Sequence, residues 1–437
     1  MTLKIGIRKE DKNVWERRAP LTPHAVAELK AKGVEVRIER FEKRAFIDED
    51  YEASGARLVD DMSGCDVVMG IKEIPVKKLE PGRAYVFFSH TIKGQHYNMA
   101  MLRRLVELKC TLVDYELVKD GKGRRLIFFG RYAGLAGMID TLWTLGQRLL
   151  KLGLRTPFAD IEPAHGYPSL EAARHAIAAA GRRIAAEGLP GELAPMVFGF
   201  TGYGNVSQGA QEIFDVLPHD DVSPVDLPAW VDAHKGQTKR VAKAVYHEKH
   251  MVAPIDPAGP FELHEYFDHP ERYRSTFEPH LALLSVIVNG IFWTEKYPRL
   301  ATREQLKELF ASPARPRLLV VGDISCDVDG SLACTVRDTE PGNPVYVYDP
   351  ATGEAPSGFD GPGLAVMAVG NLPCELPMES STAFSAALMP FMPALASMDM
   401  GKPFAEVFLP DELRRAVILW RGELTPGFEY MREFLKQ

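Results

Sequence analysis

The segment VFGFTGYGNVSQGAQEIF, residues 197–214, joins an apolar run to a helical pattern through Gly202-Tyr203-Gly204. A buried strand that hands a phosphate to a helix N-terminus is built in this order. The third glycine of a G-x-G-x-x-G pattern would fall at 207, where the chain carries Ser207. That glycine serves close helix–strand packing, and here Gly209 and Ala210 keep the start of the helix slim. The segment is therefore expected to form a dinucleotide site from Gly202, Tyr203, Gly204, Asn205, Val206 and Ser207. An ordinary strand–helix turn is the alternative.

Upstream of this loop the chain alternates short apolar runs with helical patterns. LKIGIR, VEVRIER, DVVMGIK, AYVFFSH and TLVDYEL read as strands, the rhythm of a parallel sheet. Thr22 and Pro23 open a helix that stops before Gly33. Long helices are expected over 132–153 and from Ser169 to Gly188. Downstream, RLLVVGDIS, PVYVYD and GLAVMAVGN resume the strand pattern, and the tail from 378 reads as mostly helical. The expected fold is α/β, two Rossmann-like domains with parallel sheets and a cleft between them. Residues 1–131 plus 372–437 form the first, and 132–371 the dinucleotide domain. The less regular stretch 217–316 reads as an insertion in the second.

At 437 residues the chain exceeds one comfortable core. Its net charge of -7 argues against a nucleic-acid partner, and no run approaches the ~20 apolar residues of a membrane span. The opening MTLKIGIRKED reads directly as a strand, so no leader is expected. Five scattered cysteines without C-x-x-C spacing point to reduced thiols and a cytoplasmic setting. Small molecules are the expected partners, and a homo-oligomer is neither required nor excluded.

Three motifs near strand ends carry candidate chemistry. WERRAPL places Arg17 and Arg18 where a guanidinium can fork onto a carboxylate. VVMGIKEIP ends in Lys72 and Glu73, a surface charge pair or a desolvated acid/base. YVFFSHTIKG ends in Ser89-His90 with Lys93 beyond, and a histidine there suits proton transfer near neutral pH. The choice of cofactor is ambiguous by sequence: Asp220, Asp221 and Asp226 favour NAD, while Lys239 and Arg240 are candidate phosphate partners. His247 and His250 form an H-x-x-H pair without further metal-ligand spacing, and read as surface residues.

WERRAPL, FFSHTIK, DYE, GYGNVSQGAQ, HPERY, NGIFW, PRL and DIS stand in the order found in lysine–2-oxoglutarate reductase. The chain resembles that family, the N-terminal half of the bifunctional aminoadipate semialdehyde synthases. More distantly it is similar to fungal lysine-forming saccharopine dehydrogenase and to alanine dehydrogenase. The resemblance runs from Ile5 to the last helix, and it implies NADP(H), with NAD(H) the alternative. It implies acid/base roles for Lys72 and His90 and a substrate-carboxylate contact for Arg18. Glu73, Lys93, Glu116, Arg125 and Phe129 match residues lining the amino-acid pocket. Asp323 and Asp327 match the segment beside the nicotinamide ribose, although Val328-Asp329-Gly330-Ser331 replaces the family's T-G-G-S. The implied reaction is condensation of lysine with 2-oxoglutarate and reduction to saccharopine. An alanine-dehydrogenase-like enzyme and a non-catalytic NADP-binding sensor are the competing readings.

Overall fold

A computed structural model describes residues 3–312 and 316–436. The chain divides into two units, one running to Phe129 and resuming at Pro377, the other spanning Gly130–Leu376. Their boundaries thus fall at 129/130 and 376/377, where the sequence reading set them at 131/132 and 371/372.

In the first unit, β1 (Ile5–Ile7), β2 (Val36–Glu39), β3 (Arg57–Val59), β4 (Val67–Met69), β5 (Ala84–Phe87) and β6 (Thr111–Asp114) are parallel, in spatial order 6-5-4-1-2-3. Helix α1 (Pro23–Ala31) starts where the sequence signals it. The Thr22 hydroxyl accepts from the Ala25 N–H, and Gly33 follows the helix with φ +79°. Helix α2 (His96–Glu107) buries Met99, Met101, Leu102 and Leu105. The tail departs from its helical expectation. Val417–Trp420 is a fully buried strand antiparallel to β6, followed by the two-residue strand Glu423–Leu424. A four-residue apolar run carries no helical period, so only a partner strand could assign it.

In the second unit, β7 (Val197–Thr201), β8 (His219–Asp221), β9 (Val241–Tyr246), β10 (Val252–Pro254), β11 (Tyr273–Ser275), β12 (Val286–Asn289), β13 (Val320–Asp323), β14 (Val345–Tyr348) and β15 (Leu364–Met367) follow in chain order. Seven of them form one sheet, ordered β14-β15-β13-β12-β7-β9-β8, parallel except for β14. This corrects the reading of 217–316 as an insertion, since β8, β9 and β12 belong to the sheet itself. The addition is the antiparallel ribbon β10–β11 and its flanks. Residues 313–315 of that stretch lie outside the described residues.

This unit also carries α3 (Gly130–Lys151), α4 (Leu170–Glu187) and α5 (Asn205–Phe214), the last of which begins directly after the glycine loop. Helices α3 and α5 meet backbone to backbone. A Cβ at Gly134 would lie 1.9 Å from the Val206 carbonyl oxygen, and one at Gly209 would lie 2.1 Å from that of Arg131. Gly204, by contrast, has no atom within 4 Å of a built Cβ. Its backbone (φ −75°, ψ −173°) suits any residue. Gly209→Ala should lower the unfolding free energy in urea by about 1–3 kcal/mol, because two rigid backbones must part. Gly204→Ala should leave stability unchanged, which separates packing glycines from the open one.

Candidate functional site

The first unit concentrates its charge at the carboxyl ends of β1, β4 and β5, where open α/β sheets place their sites. Glu10, following β1, is 3% exposed and accepts from the Ile71 N–H at 2.6 Å and the Lys72 N–H at 3.1 Å. Burial pushes its carboxyl up to about 7, against the pull of Arg8. The turn after β4 is thus hung on a buried acid, and this sets where Lys72 and Glu73 begin.

Glu73 is the hub of the cluster. One oxygen meets His90 Nδ1 at 2.7 Å, and the other accepts from Lys12 Nζ at 2.6 Å. Burial alone would raise its carboxyl. The hydrogen bonds from His90 and Lys12 override this and hold it well below the usual carboxylate range. His90 itself sits at φ +47°, a conformation costly for a residue with a Cβ. Asn98 on α2 supports it, donating to the carbonyls of Ser89 (3.0 Å) and His90 (3.2 Å) and to Glu73 (3.3 Å). Beneath, the Asp114 carboxylate accepts from the Ser89 N–H and hydroxyl. Burial, then the nearby Arg18 guanidinium, draws the Lys72 ammonium below its ordinary range. Lys72, whose ammonium releases its proton more readily than usual, directly precedes the Glu73 that bonds His90, and groups of these types suit proton transfer.

Arg18 is 3% exposed, and its Nε and Nη2 fork onto the fully buried Glu16 at 2.7 and 2.6 Å. Its guanidinium lies 4.2 Å from the Phe129 ring centroid, and Phe129 stacks on Phe384 at 4.8 Å. The loop is pinned by the C-terminal helix Pro377–Leu388, whose Ser381 and Ser385 hydroxyls accept from the N–H groups of Ala19 and Thr22. Arg17 goes elsewhere, to the Lys43 carbonyl at 2.9 Å. The pair therefore does not form one clamp. Removing the Arg18 side chain breaks a buried ion pair, at about 3–5 kcal/mol, so lost activity in such a variant is partly lost structure.

The remaining pocket candidates are less concentrated. Glu116 and Arg125 pair with each other across a short hairpin. Lys93 is exposed, with its backbone N–H on Gln95 Oε1 at 3.1 Å. The sequence reading missed Glu10, Lys12, Glu16 and Asn98. Of these, Glu16 stood in the quoted WERRAPL, and Asn98 is the buried amide on an otherwise apolar helix face.

In the second unit, Gly202 takes φ +88°, and its N–H donates to the Tyr246 carbonyl at 3.0 Å. Gln208 holds the loop through the Tyr203 carbonyl at 3.0 Å. No side chain caps α5. An open glycine at the N-cap of a ten-residue helix fits a pyrophosphate. Ser207 is 2% exposed and is accommodated by Gly290 after β12, where a Cβ would lie 3.3 Å from the Ser207 nitrogen. The packing duty of the missing glycine has moved to Gly290 and Gly209.

Asp323 behaves differently from its expectation. It is 1% exposed and accepts from Asn289 Nδ2 (2.9 Å), the Cys326 N–H (3.1 Å) and the Thr335 hydroxyl (2.5 Å). Burial lifts its carboxyl to about 6. Asn289 in turn accepts from the Thr201 hydroxyl at 2.6 Å. The chain Thr201–Asn289–Asp323–Thr335 ties together the carboxyl ends of β7, β12 and β13. Asp323 is a brace of that edge rather than an open ligand. Asp327 is half-buried, and burial raises its carboxyl. Among the described residues no group of three or more histidine, cysteine or acidic side chains is placed to hold a metal ion, and the five cysteines form no disulfide.

The chain thus combines two α/β units, a glycine loop at a helix N-terminus in one and a histidine bonded to a carboxylate in the other. Comparison places it further. The alanine dehydrogenase/PNT N-terminal domain matches residues 6–136. The chain is 40% identical to the α-aminoadipic semialdehyde synthase of Arabidopsis thaliana, over 99% of this chain and 41% of that one. It is 36% identical to the mitochondrial enzyme of Bos taurus, over 98% and 47%. It therefore spans about half the length of these relatives. The lysine-forming, NAD(+) saccharopine dehydrogenase of Neurospora crassa is 29% identical over 88% of this chain and 89% of its own. An L-alanine dehydrogenase structure superposes with TM-score 0.63 at 17% identity, over 99% of this chain and all of that one. Residues 6–136 thus match an alanine dehydrogenase/PNT N-terminal domain, and the chain as a whole is similar to the N-terminal part of the semialdehyde synthases and to the saccharopine dehydrogenases.

Glu73 yields a pH prediction. Its folded-state pKa is depressed, so its contribution to stability is present above about pH 4.5 and is lost as pH falls below that. Glu73→Gln should flatten the acid limb of the stability–pH curve between pH 3 and 5, measured by denaturant unfolding. An unchanged acid limb would mean that the bonds from His90 and Lys12 do not hold in solution.

Proposed function

We propose that the chain condenses L-lysine with 2-oxoglutarate and reduces the adduct to saccharopine, with NADPH as hydride donor. The observation that carries this reading is the Lys72–Glu73–His90 cluster, in a chain alignable nearly end to end with lysine-forming saccharopine dehydrogenases. The matched part of the semialdehyde synthases supports it at higher identity.

The ε-amine of lysine adds to the keto carbon of 2-oxoglutarate, giving a carbinolamine. Loss of water leaves an imine, and hydride addition to the imine carbon with protonation of nitrogen gives the secondary amine. The nicotinamide would supply the hydride; the C–N bond formation and the C–O cleavage before it are each assisted by proton transfer. Glu73 binds His90 Nδ1, which leaves Nε2 to protonate the departing hydroxyl. Lys72, with its ammonium destabilised by burial and by Arg18, takes the proton from the substrate amine. The Arg18 guanidinium, braced by Glu16 and Phe129, is the candidate contact for a substrate carboxylate, with Glu116 and Arg125 lining the pocket. Gly202 to Ser207 would hold the pyrophosphate.

The experiment is NADPH oxidation followed at 340 nm with lysine and 2-oxoglutarate, each omitted in turn. Oxidation should require both. His90→Gln should lower kcat by about 10²- to 10⁴-fold, and Asn98→Ala should lower it less, through misplacement of the ring. Oxidation with pyruvate and ammonia, but not with lysine, would overturn the reading in favour of an alanine-dehydrogenase-type reaction.

A further inference from the structure

The strand order of the second unit reassigns the residues that meet the adenosine ribose. In a doubly wound sheet, the ribose 2′ group is read at the carboxyl end of the strand beside the glycine-loop strand. Sequence order pointed to β8 and its aspartates. Yet β8 is the edge strand, and β9 lies between it and β7. Register makes the difference concrete. Tyr246 is level with Thr201, so His247 stands beside Gly202. Asp221 is level with Lys243, which pairs with Phe198 near the start of β7. Asp220 is also occupied, held by Arg240 Nε at 2.7 Å. The β8 carboxylates therefore stop short of the glycine loop.

What reaches the loop is the H-x-x-H segment. The exposed His247 ring stacks on Tyr203, with centroids 4.2 Å apart and an interplanar angle of 21°. His247 opens the short helix Glu248–Met251: its carbonyl accepts from the His250 N–H at 2.9 Å, while its own N–H donates to His250 Nδ1 at 3.1 Å. His247 presents its ring at the rim of the glycine loop, with Lys249 exposed two residues on. His250 is consumed as a cap acceptor, and Glu248 lies against the Tyr203 phenol.

We propose that His247, stacked on Tyr203 and assisted by Lys249, is the specificity residue that recognises the 2′-phosphate of the dinucleotide. The proposal deepens the NADPH reading and rests on it. One charge-assisted hydrogen bond to a phosphate corresponds to about tenfold in affinity or more.

The test is calorimetric titration of the full chain with adenosine 2′,5′-bisphosphate and with adenosine 5′-monophosphate, which differ only in that phosphate. The unaltered chain should bind the bisphosphate more tightly. His247→Asn, which places a residue favoured at a helix N-cap, should weaken bisphosphate binding by about tenfold. It should change monophosphate binding by less than about twofold, which also reports an intact fold. Asp220→Asn should change neither. Equal binding of both nucleotides by the unaltered chain, or equal weakening of both by His247→Asn, overturns the proposal. Loss of monophosphate binding in Glu248→Gln would overturn it in favour of a 2′-hydroxyl reader. Turnover with lysine and 2-oxoglutarate is a separate measurement. Turnover without 2′-phosphate selectivity removes only the His247 assignment, and selectivity without turnover removes only the reductase reading.

Discussion

The contact of α3 with α5 governs the second unit. Two glycines, Gly134 and Gly209, let the helices touch through their backbones, each facing a carbonyl of the other. No side chain fits there, so the N-terminus of α5 has one seat relative to β7. The polar chain Thr201–Asn289–Asp323 then fixes the carboxyl edge of the three central strands. Pyrophosphate recognition by backbone groups needs this rigidity, because a helix terminus has no side-chain slack to correct its aim.

The first unit meets a different constraint: charges held close together and mostly out of water. Glu10, Glu16 and Glu73 each carry a distinct task. Glu10 anchors the backbone ahead of Lys72, Glu16 holds Arg18, and Glu73 orients His90. The acids keep a cationic cluster tolerable in a half-buried place, while Arg18 and burial weaken the hold of Lys72 on its proton. The environment, more than residue type, separates an acid from a base here.

Much of this was legible along the chain. Thr22-Pro23 and Gly33 bounded α1 because caps and left-handed turns are local chemistry. The glycine loop was legible for the same reason, as were Lys72 and His90 at the ends of apolar strands. Glu10 and Asn98 were not, since nothing nearby in sequence requires a carboxylate 61 residues from Ile71 or an amide eight residues from His90. Asp323 was legible as a residue but not as a brace, because its role depends on which strands lie beside it.

By itself, the sequence determined the α/β class, the strand–turn segments at the glycine loop and at Ser89-His90, and the local helix boundaries, all set by interactions within a few residues. Only the tertiary structure decided that 217–316 builds the sheet, that Val417–Trp420 is a strand, and that β9 stands between β7 and β8. Strand neighbourhood is a long-range choice, made by burial and hydrogen-bond pairing over the whole unit. It carried the H-x-x-H segment from an apparent surface detail to the edge of the glycine loop.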